Sequence, residues 1–229
     1  MMRIFMTPHQ FTPIALAFLL LTPALHAQTE HKAGKSRHMD RRFDPSSAKS
    51  FDNPDRDKTQ KPNEVLAALQ LKSGFAVADI GAGTGYFSIR LAKHESAPKV
   101  FAVDIETSML DHIRQRAEKE HLANVHPVHG GPTSPNLPEP VDRVLMVNTY
   151  HHIADRVSYF RDLRNSLKPD AQVAIIDWKK GGTGQGPRHE HRFTPEEITT
   201  ELEKAGYQRV AQHDFLPNQE FLMFRPAGN

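Results

Sequence analysis

The chain has no cysteine among its 229 residues, which excludes a disulfide framework, a lipid-modified cysteine and a thiolate nucleophile. An excess of one charge sign is also missing. Lys and Arg number 29 against 27 Asp and Glu, a formal +2 with the basic residues dispersed among acids, so no surface is dedicated to nucleic acid. No internal repeat is visible, and no G-x-x-x-x-G-K-[ST] occurs, so a P-loop ATPase or kinase has no support. The apolar run at residues 11–21 is interrupted by Pro13 and is short for a membrane-spanning helix. With 38% apolar residues and roughly 200 residues beyond that run, the chain is long enough for one good-sized core.

The first residues form a separate object. Residues 1–10 carry Arg3 and no acid, the apolar run follows, and Leu25-His26-Ala27 places a small residue at a cleavage point. This pattern predicts a secretory signal peptide over residues 1–27 and a mature chain starting near Gln28. Residues 28–50 are polar and charged, and are expected to form a flexible arm leading to a single domain over residues 51–229. The expected location is periplasmic or secreted. An uncleaved segment would instead associate with a membrane, and translation from Met39 would leave the protein in the cytoplasm.

The most specific pattern is Val77-Ala78-Asp79-Ile80-Gly81-Ala82-Gly83-Thr84-Gly85-Tyr86-Phe87, an apolar strand running into a glycine turn and then a helix. Three glycines in five residues let the backbone turn sharply and approach a ligand, and the helix start offers unsatisfied N–H groups. A dinucleotide fingerprint reads G-x-G-x-x-G; here the third glycine comes one position early and Tyr86 takes its place, which disfavours a nicotinamide cofactor. Further on, Val100-Phe101-Ala102-Val103-Asp104 reads as a second buried strand ending in a carboxylate about 20 residues past the glycines, where it can accept both hydroxyls of a ribose.

These residues resemble the first motif, (V/L)-x-D-x-G-x-G-x-G, of the Rossmann-like methyltransferases that use S-adenosylmethionine, small-molecule type. The match is carried by Asp79, Gly81, Gly83, Gly85 and the strand-end Asp104. The resemblance implies S-adenosyl-L-methionine as cofactor, with the glycine turn beneath its methionine part, Asp104 on the ribose and Asp79 near the amino group. It implies a binding set of Asp79, Gly81, Ala82, Gly83, Gly85, Asp104, Ile105, Thr133 and Asn148. Many relatives place an acid for the adenine amino group between strands three and four. Gly131-Pro132-Thr133-Ser134 offers none, so backbone groups or the Thr133 hydroxyl would substitute.

The remainder alternates between strand and helix patterns. Helices are expected near residues 62–71, 86–94, 106–121, 156–167 and 195–205, the last capped by Thr194. Strands are expected at 75–80, 100–104, 124–128, 142–147, 171–177, 208–213 and 220–224, with Lys168-Pro169-Asp170 as a turn into the fifth. The alternation predicts an α/β doubly wound, mostly parallel sheet with helices on both faces. The resemblance adds seven strands in the order 3-2-1-4-5-7-6, strand seven being antiparallel.

Chemistry is expected at the carboxyl ends of the strands, where open α/β sheets bind ligands. After strand four comes Asn148-Thr149-Tyr150-His151-His152. It lacks the prolines of the (D/N)-P-P-(Y/F) motif of amide and adenine amino methyltransferases. It is similar instead to the small-molecule branch, such as quinone-biosynthesis and arsenite enzymes, though arsenite transfer depends on cysteines. Tyr150, His151 and His152 are the catalytic candidates, since a histidine of ordinary pKa near ~6.5 suits proton transfer; packing or capping of the next helix is the alternative for each. Arg56 and Gln60 are candidates for covering the cofactor. His189-Glu190-His191 lacks a visible third ligand, so no metal is expected, and the loop at residues 181–186 reads as a flexible connection. The expected function is in-line methyl transfer to a small-molecule acceptor, with O, N or C as methylated atom left open. The alternative is a non-catalytic S-adenosylmethionine-binding sensor or carrier.

Overall fold

Strands apolar on both faces decide the architecture. The computed structural model describes Asn53, residues 55–182 and residues 186–228. Seven strands appear in it: β1 (Ala76–Ile80), β2 (Lys99–Asp104), β3 (Val125–His129), β4 (Val141–Val147), β5 (Leu167–Trp178), β6 (Tyr207–His213) and β7 (Gln219–Pro226). They form one sheet in the order β3-β2-β1-β4-β5-β7-β6. The pairs from β3 to β5 are parallel, and β7 runs antiparallel to both β5 and β6. The expected doubly wound sheet is therefore present, strand order included.

Among the described residues six helices flank the sheet: α1 (Asp55–Gln60), α2 (Pro62–Ala68), α3 (Tyr86–Ala92), α4 (Thr107–Lys119), α5 (Arg156–Arg164) and α6 (Pro195–Lys204). Because strand side chains alternate between faces, neighbouring residues enter different cores. Val77, Val100, Ala102, Leu145, Ala174, Ile176 and Phe221 pack with residues of α2, α3 and α4. Ala78, Phe101, Val144, Met146, Val173, Ile175 and Leu222 pack with α5 and α6. Strands buried on both faces read as continuous apolar runs, and each fully buried aliphatic side chain contributes about 1.5–3 kcal/mol.

Several boundaries differ from expectation, each for a local reason. The α2 helix stops at Ala68 because Gln70 adopts a left-handed φ of 49°. The predicted turn at Lys168-Pro169-Asp170 lies inside β5 as an irregularity: Val141 pairs with Leu167 and Arg143 with Gln172. Lys168 donates to Asp142 and Arg143 to the Asp170 carbonyl, so the proline is accommodated where the ladder is interrupted. Thr194 caps α6 in a reciprocal box with Glu197. The α1 helix was not expected; Asn53 Oδ1 accepts from the Asp55 N–H at its start. The predicted signal peptide and arm lie outside the described residues. Among the described residues no helix is long and apolar enough to cross a membrane.

Candidate functional site

The alternation that builds the cores also places two carboxylates together. Asp79, one residue before the end of β1, and Asp104, the last residue of β2, lie on the face shared by Val77, Val100 and Ala102, and the glycine turn runs between them. Gly81, Gly83 and Gly85 have φ of 75°, 55° and 81°, a region that costs other L-residues about 1–2 kcal/mol. The N–H groups of Gly81 and Ala82 both donate to the Val103 carbonyl, at 2.8 and 2.9 Å. Gly83 donates to Asp104 Oδ2 at 2.8 Å, and Glu106 N donates to Asp104 Oδ1 at 2.9 Å. Asp104 is thereby aimed across the turn, and each oxygen keeps further acceptor capacity.

The three glycines serve different ends. A Cβ at Gly81 would overlap the Thr149 side chain, a Cβ at Gly85 would press on Ile113 Cγ1 at 3.1 Å, and the space over Gly83 is open within 4 Å. The first two permit close packing, whereas the third leaves backbone facing free space. Asp79 is 3% exposed and accepts from Ser88 Oγ at 2.6 Å. Burial pushes its pKa from 3.8 up to about 6 against the lowering effect of that bond, with the Asp104 charge adding to the rise. Burial likewise raises Asp104, opposed by its backbone donors.

Tyr86, notable in the sequence only for not being glycine, anchors α1. Its ring has Arg56 and Arg90 each 3.9 Å from the centroid. Its hydroxyl bonds to Asp57, which Arg90 also engages at 2.9 and 3.2 Å. Arg56 donates to Gln60 Oε1 at 3.2 and 2.8 Å, and its charge favours ionised Asp79. Both nominated residues, Arg56 and Gln60, therefore sit on a helix fastened beside the glycine corner.

The segment after β4 separates its candidates. Asn148 takes a left-handed φ of 55°, donates its N–H to Ile176 O at 2.8 Å and accepts from Gln219 Nε2 at 2.6 Å. Thr149 lies against Gly81. Tyr150, fully buried, bonds to Glu201, and its ring meets Phe193 at 5.3 Å and Phe160 at 5.9 Å. Glu201 is also paired with Arg156, and burial drives the Tyr150 hydroxyl far above its ordinary pKa. That geometry is a packing knot between the turn at Tyr150–His152 and α6, not a group facing the glycine corner. His151 instead places Nδ1 at 2.8 and 3.0 Å from the two oxygens of Asp177, and its N–H at 3.2 Å from Oδ2. His152 is exposed and stacks on His151 with ring centroids 4.1 Å apart. Asp177 was missed because a strand-end acid is an ordinary surface feature until its partner is known.

The other nominated positions spread along the same rim. Ile105, after Asp104, is 59% exposed, and its carbonyl lies 3.1 Å from His129 Nε2. Thr133 is exposed in the loop where Gly131 N donates to Ser134 O. Gly181 and Gly182 are described, with Arg192 bonded to the Gly182 carbonyl at 2.7 Å; Thr183, Gly184 and Gln185 lie outside the described residues. His189–His191 forms a single 3-10 turn, and among the described residues no three metal-ligating groups come together.

The donor set fits an adenosyl amino acid. At the β1 end lie the buried carboxylate of Asp79 and the open space over Gly83, and at the adjacent β2 end the carboxylate of Asp104 and the exposed Ile105, groups that could hold an ammonium, a diol and an apolar ring. Comparisons agree. Residues 77–170 match the family described as a methyltransferase domain. The crystal structure of a SAM dependent methyltransferase from Aquifex aeolicus is 30% identical, with TM-score 0.73 over 80% of this chain and 98% of that one. An uncharacterized methyltransferase of Schizosaccharomyces pombe is 28% identical over 68% of this chain and 54% of its own length. The (S)-coclaurine N-methyltransferase of Thalictrum flavum subsp. glaucum is 27% identical over 46% of this chain and 29% of its own. The chain thus matches from under a third to about half of these curated relatives. It belongs to the S-adenosylmethionine-dependent methyltransferases.

Proposed function

We propose that this S-adenosylmethionine-dependent methyltransferase acts on a small-molecule acceptor held beside the Asn148–His152 segment, by in-line displacement. The observation that carries the reading is the packing of Thr149 on Gly81: the glycine corner and the segment after β4 form one continuous wall. Within it Asp79, Gly81, Ala82, Gly83, Gly85 and Asp104 would cradle the cofactor. Asp104 would accept the ribose hydroxyls, Asp79 the ammonium, and Ile105 and Thr133 would border the adenine. When bound, the cofactor supplies a methyl group already activated on a sulfonium. The remaining work for the chain is alignment, exclusion of water and handling of a proton, and well-aligned reactants alone account for up to about 7–11 kcal/mol of barrier. Asn148, held left-handed between Gln219 and Ile176, would set the angle at which the acceptor segment leaves β4.

Calorimetry with S-adenosylmethionine, followed by mass spectrometry for S-adenosylhomocysteine across a mixed library of phenols, amines and carbon acids, tests the reading. Saturable binding with turnover of one acceptor class supports it. Binding without turnover favours a carrier or sensor, and a wild-type protein that does not bind the cofactor overturns both.

Residues 1–27 are part of the same proposal as an export signal, on the grounds of Arg3, the apolar run and Ala27. N-terminal sequencing of the natural product decides: a start near Gln28 supports export, and one at Met39 refutes it.

A further inference from the structure

The His151–Asp177 pair has features that packing alone does not require. Asp177 is 2% exposed, and each of its carboxylate oxygens accepts a backbone N–H. Trp178 N donates to Oδ1 at 2.7 Å and His151 N to Oδ2 at 3.2 Å, while the His151 ring lies within 3.0 Å of both oxygens. A carboxylate placed to accept backbone N–H groups on both oxygens is matched by a ring nitrogen that donates, which assigns the hydrogen to Nδ1, the nitrogen facing it. With the hydrogen on Nδ1, Nε2 is the acceptor nitrogen of the ring, and it has no hydrogen-bond partner among the described residues. The His151 side chain is only 6% exposed, with His152 stacked against it. The ring is therefore held by Asp177 on one edge and mostly buried, while the partnerless Nε2 is not among the buried atoms, and it lies two residues beyond the Thr149 contact with Gly81.

We propose that Asp177 is a positioning residue that holds His151 as its Nδ1–H tautomer, so that Nε2 receives the proton of the methyl acceptor. This rests on the function proposed above and names the acceptor class: a molecule whose nucleophilic atom carries a proton, a hydroxyl or an N–H, rather than a thioether or tertiary amine. In the step, the acceptor's lone pair forms the bond to the methyl carbon as the carbon–sulfur bond breaks, and that electron pair stays on sulfur. The acceptor's proton passes to Nε2, and the resulting imidazolium stays beside the Asp177 carboxylate until the proton leaves to water. A positioned base of this kind contributes about 10²–10⁴-fold, and a carboxylate that only orients an imidazole acts by excluding the unreactive tautomer.

The test begins without turnover. In nitrogen-15-labelled full-length protein at neutral pH, ring proton–nitrogen correlations, assigned by their loss in His151→Gln, are expected to show Nδ1 protonated and Nε2 bare. Asp177→Asn, whose amide can donate to Nδ1, is expected to shift His151 toward the Nε2–H tautomer, and Asp177→Glu to restore part of the wild-type signature. With catechol, N-methylbenzylamine and dimethyl sulfide as acceptors, turnover of either protic compound is expected to fall about 100-fold or more in kcat for Asp177→Asn and His151→Gln. Affinity for S-adenosylmethionine by calorimetry is expected to stay unchanged. A wild-type His151 protonated at Nε2 overturns the proposal, as does an Asp177→Asn enzyme with kcat within about threefold of wild type. If no compound is turned over, the tautomer alone decides. Failure of the wild type to bind the cofactor counts against the methyltransferase site as a whole, a separate result.

Discussion

Two long-range contacts at the strand ends are nearly equal in sequence separation and opposite in legibility. Gly83 meets Asp104 across 21 residues, and His151 meets Asp177 across 26. The first is closed by a single strand-helix-strand unit whose turn admits few residue types, because three backbone positions there have positive φ. The second joins two residue types found on any protein surface, and nothing local requires either. A site is readable where backbone geometry restricts the alphabet; it is not where only side-chain partnership does.

The sharpest way to break the first contact is at Gly81. Gly81→Val combines a positive φ of 75° with a Cβ overlapping Thr149. Backbone strain and overpacking together are expected to cost about 2–5 kcal/mol in denaturant unfolding, with loss of cofactor binding by calorimetry. Gly83→Ala, which meets nothing within 4 Å, should cost only about 1–2 kcal/mol of stability. Equal losses at the two positions would remove the distinction between a packing glycine and a ligand-facing one.

An intermediate effect is expected from Asp79. Its folded pKa of about 6 lies above the ordinary 3.8, so the native state holds this proton more tightly than the unfolded chain. Its stabilising contribution is therefore full below about pH 4 and lost as pH rises through 6, by at most about 3 kcal/mol. On the proposed role of Asp79 as acceptor of the cofactor's ammonium, binding should move the opposite way, tightening as pH rises through 6 where the carboxylate ionises. Asp79→Asn should flatten both profiles, gaining stability at neutral pH and losing affinity, the trade expected of a strained functional group. Parallel wild-type and Asp79→Asn profiles would assign the pH dependence elsewhere.

The smallest change tests the second contact's neighbour. Tyr150→Phe removes the hydroxyl bonded to Glu201 but leaves the Arg156 pair. A loss of about 1.5 kcal/mol is expected in unfolding, with cofactor affinity and the His151 tautomer unchanged. A drop in kcat at unchanged stability would instead restore Tyr150 as a catalytic candidate and blur the separation between it and His151.

Much of the fold was open to reading because each face of the sheet repeats one physical demand. Val77 and Ala78 enter different cores, which forces an unbroken apolar strand, and Thr194 with Glu197 marks a helix start by mutual capping. The errors fall where those demands relax. Lys168, Pro169 and Asp170 look like a turn because proline interrupts a ladder, yet Arg143 and Asp142 hold them inside β5. The α1 helix is six residues long, too short to stand on propensity. Its attachment is to Tyr86 and Arg90, about 30 residues away, the scale at which local pattern carries no information.

Residue order alone sufficed for the alternating strands and helices and for the glycine turn between Asp79 and Asp104, with the strand order added by the family resemblance, since these depend on hydrophobic period and on backbone conformations that few residues adopt. Tertiary structure was needed to tell Tyr150 from His151, adjacent residues with equal claims on a catalytic role. One turn of 3-10 helix sends the tyrosine toward Glu201 and the histidine toward Asp177. The function of a side chain follows from the partner it meets, and that partner is set by the packing of distant elements.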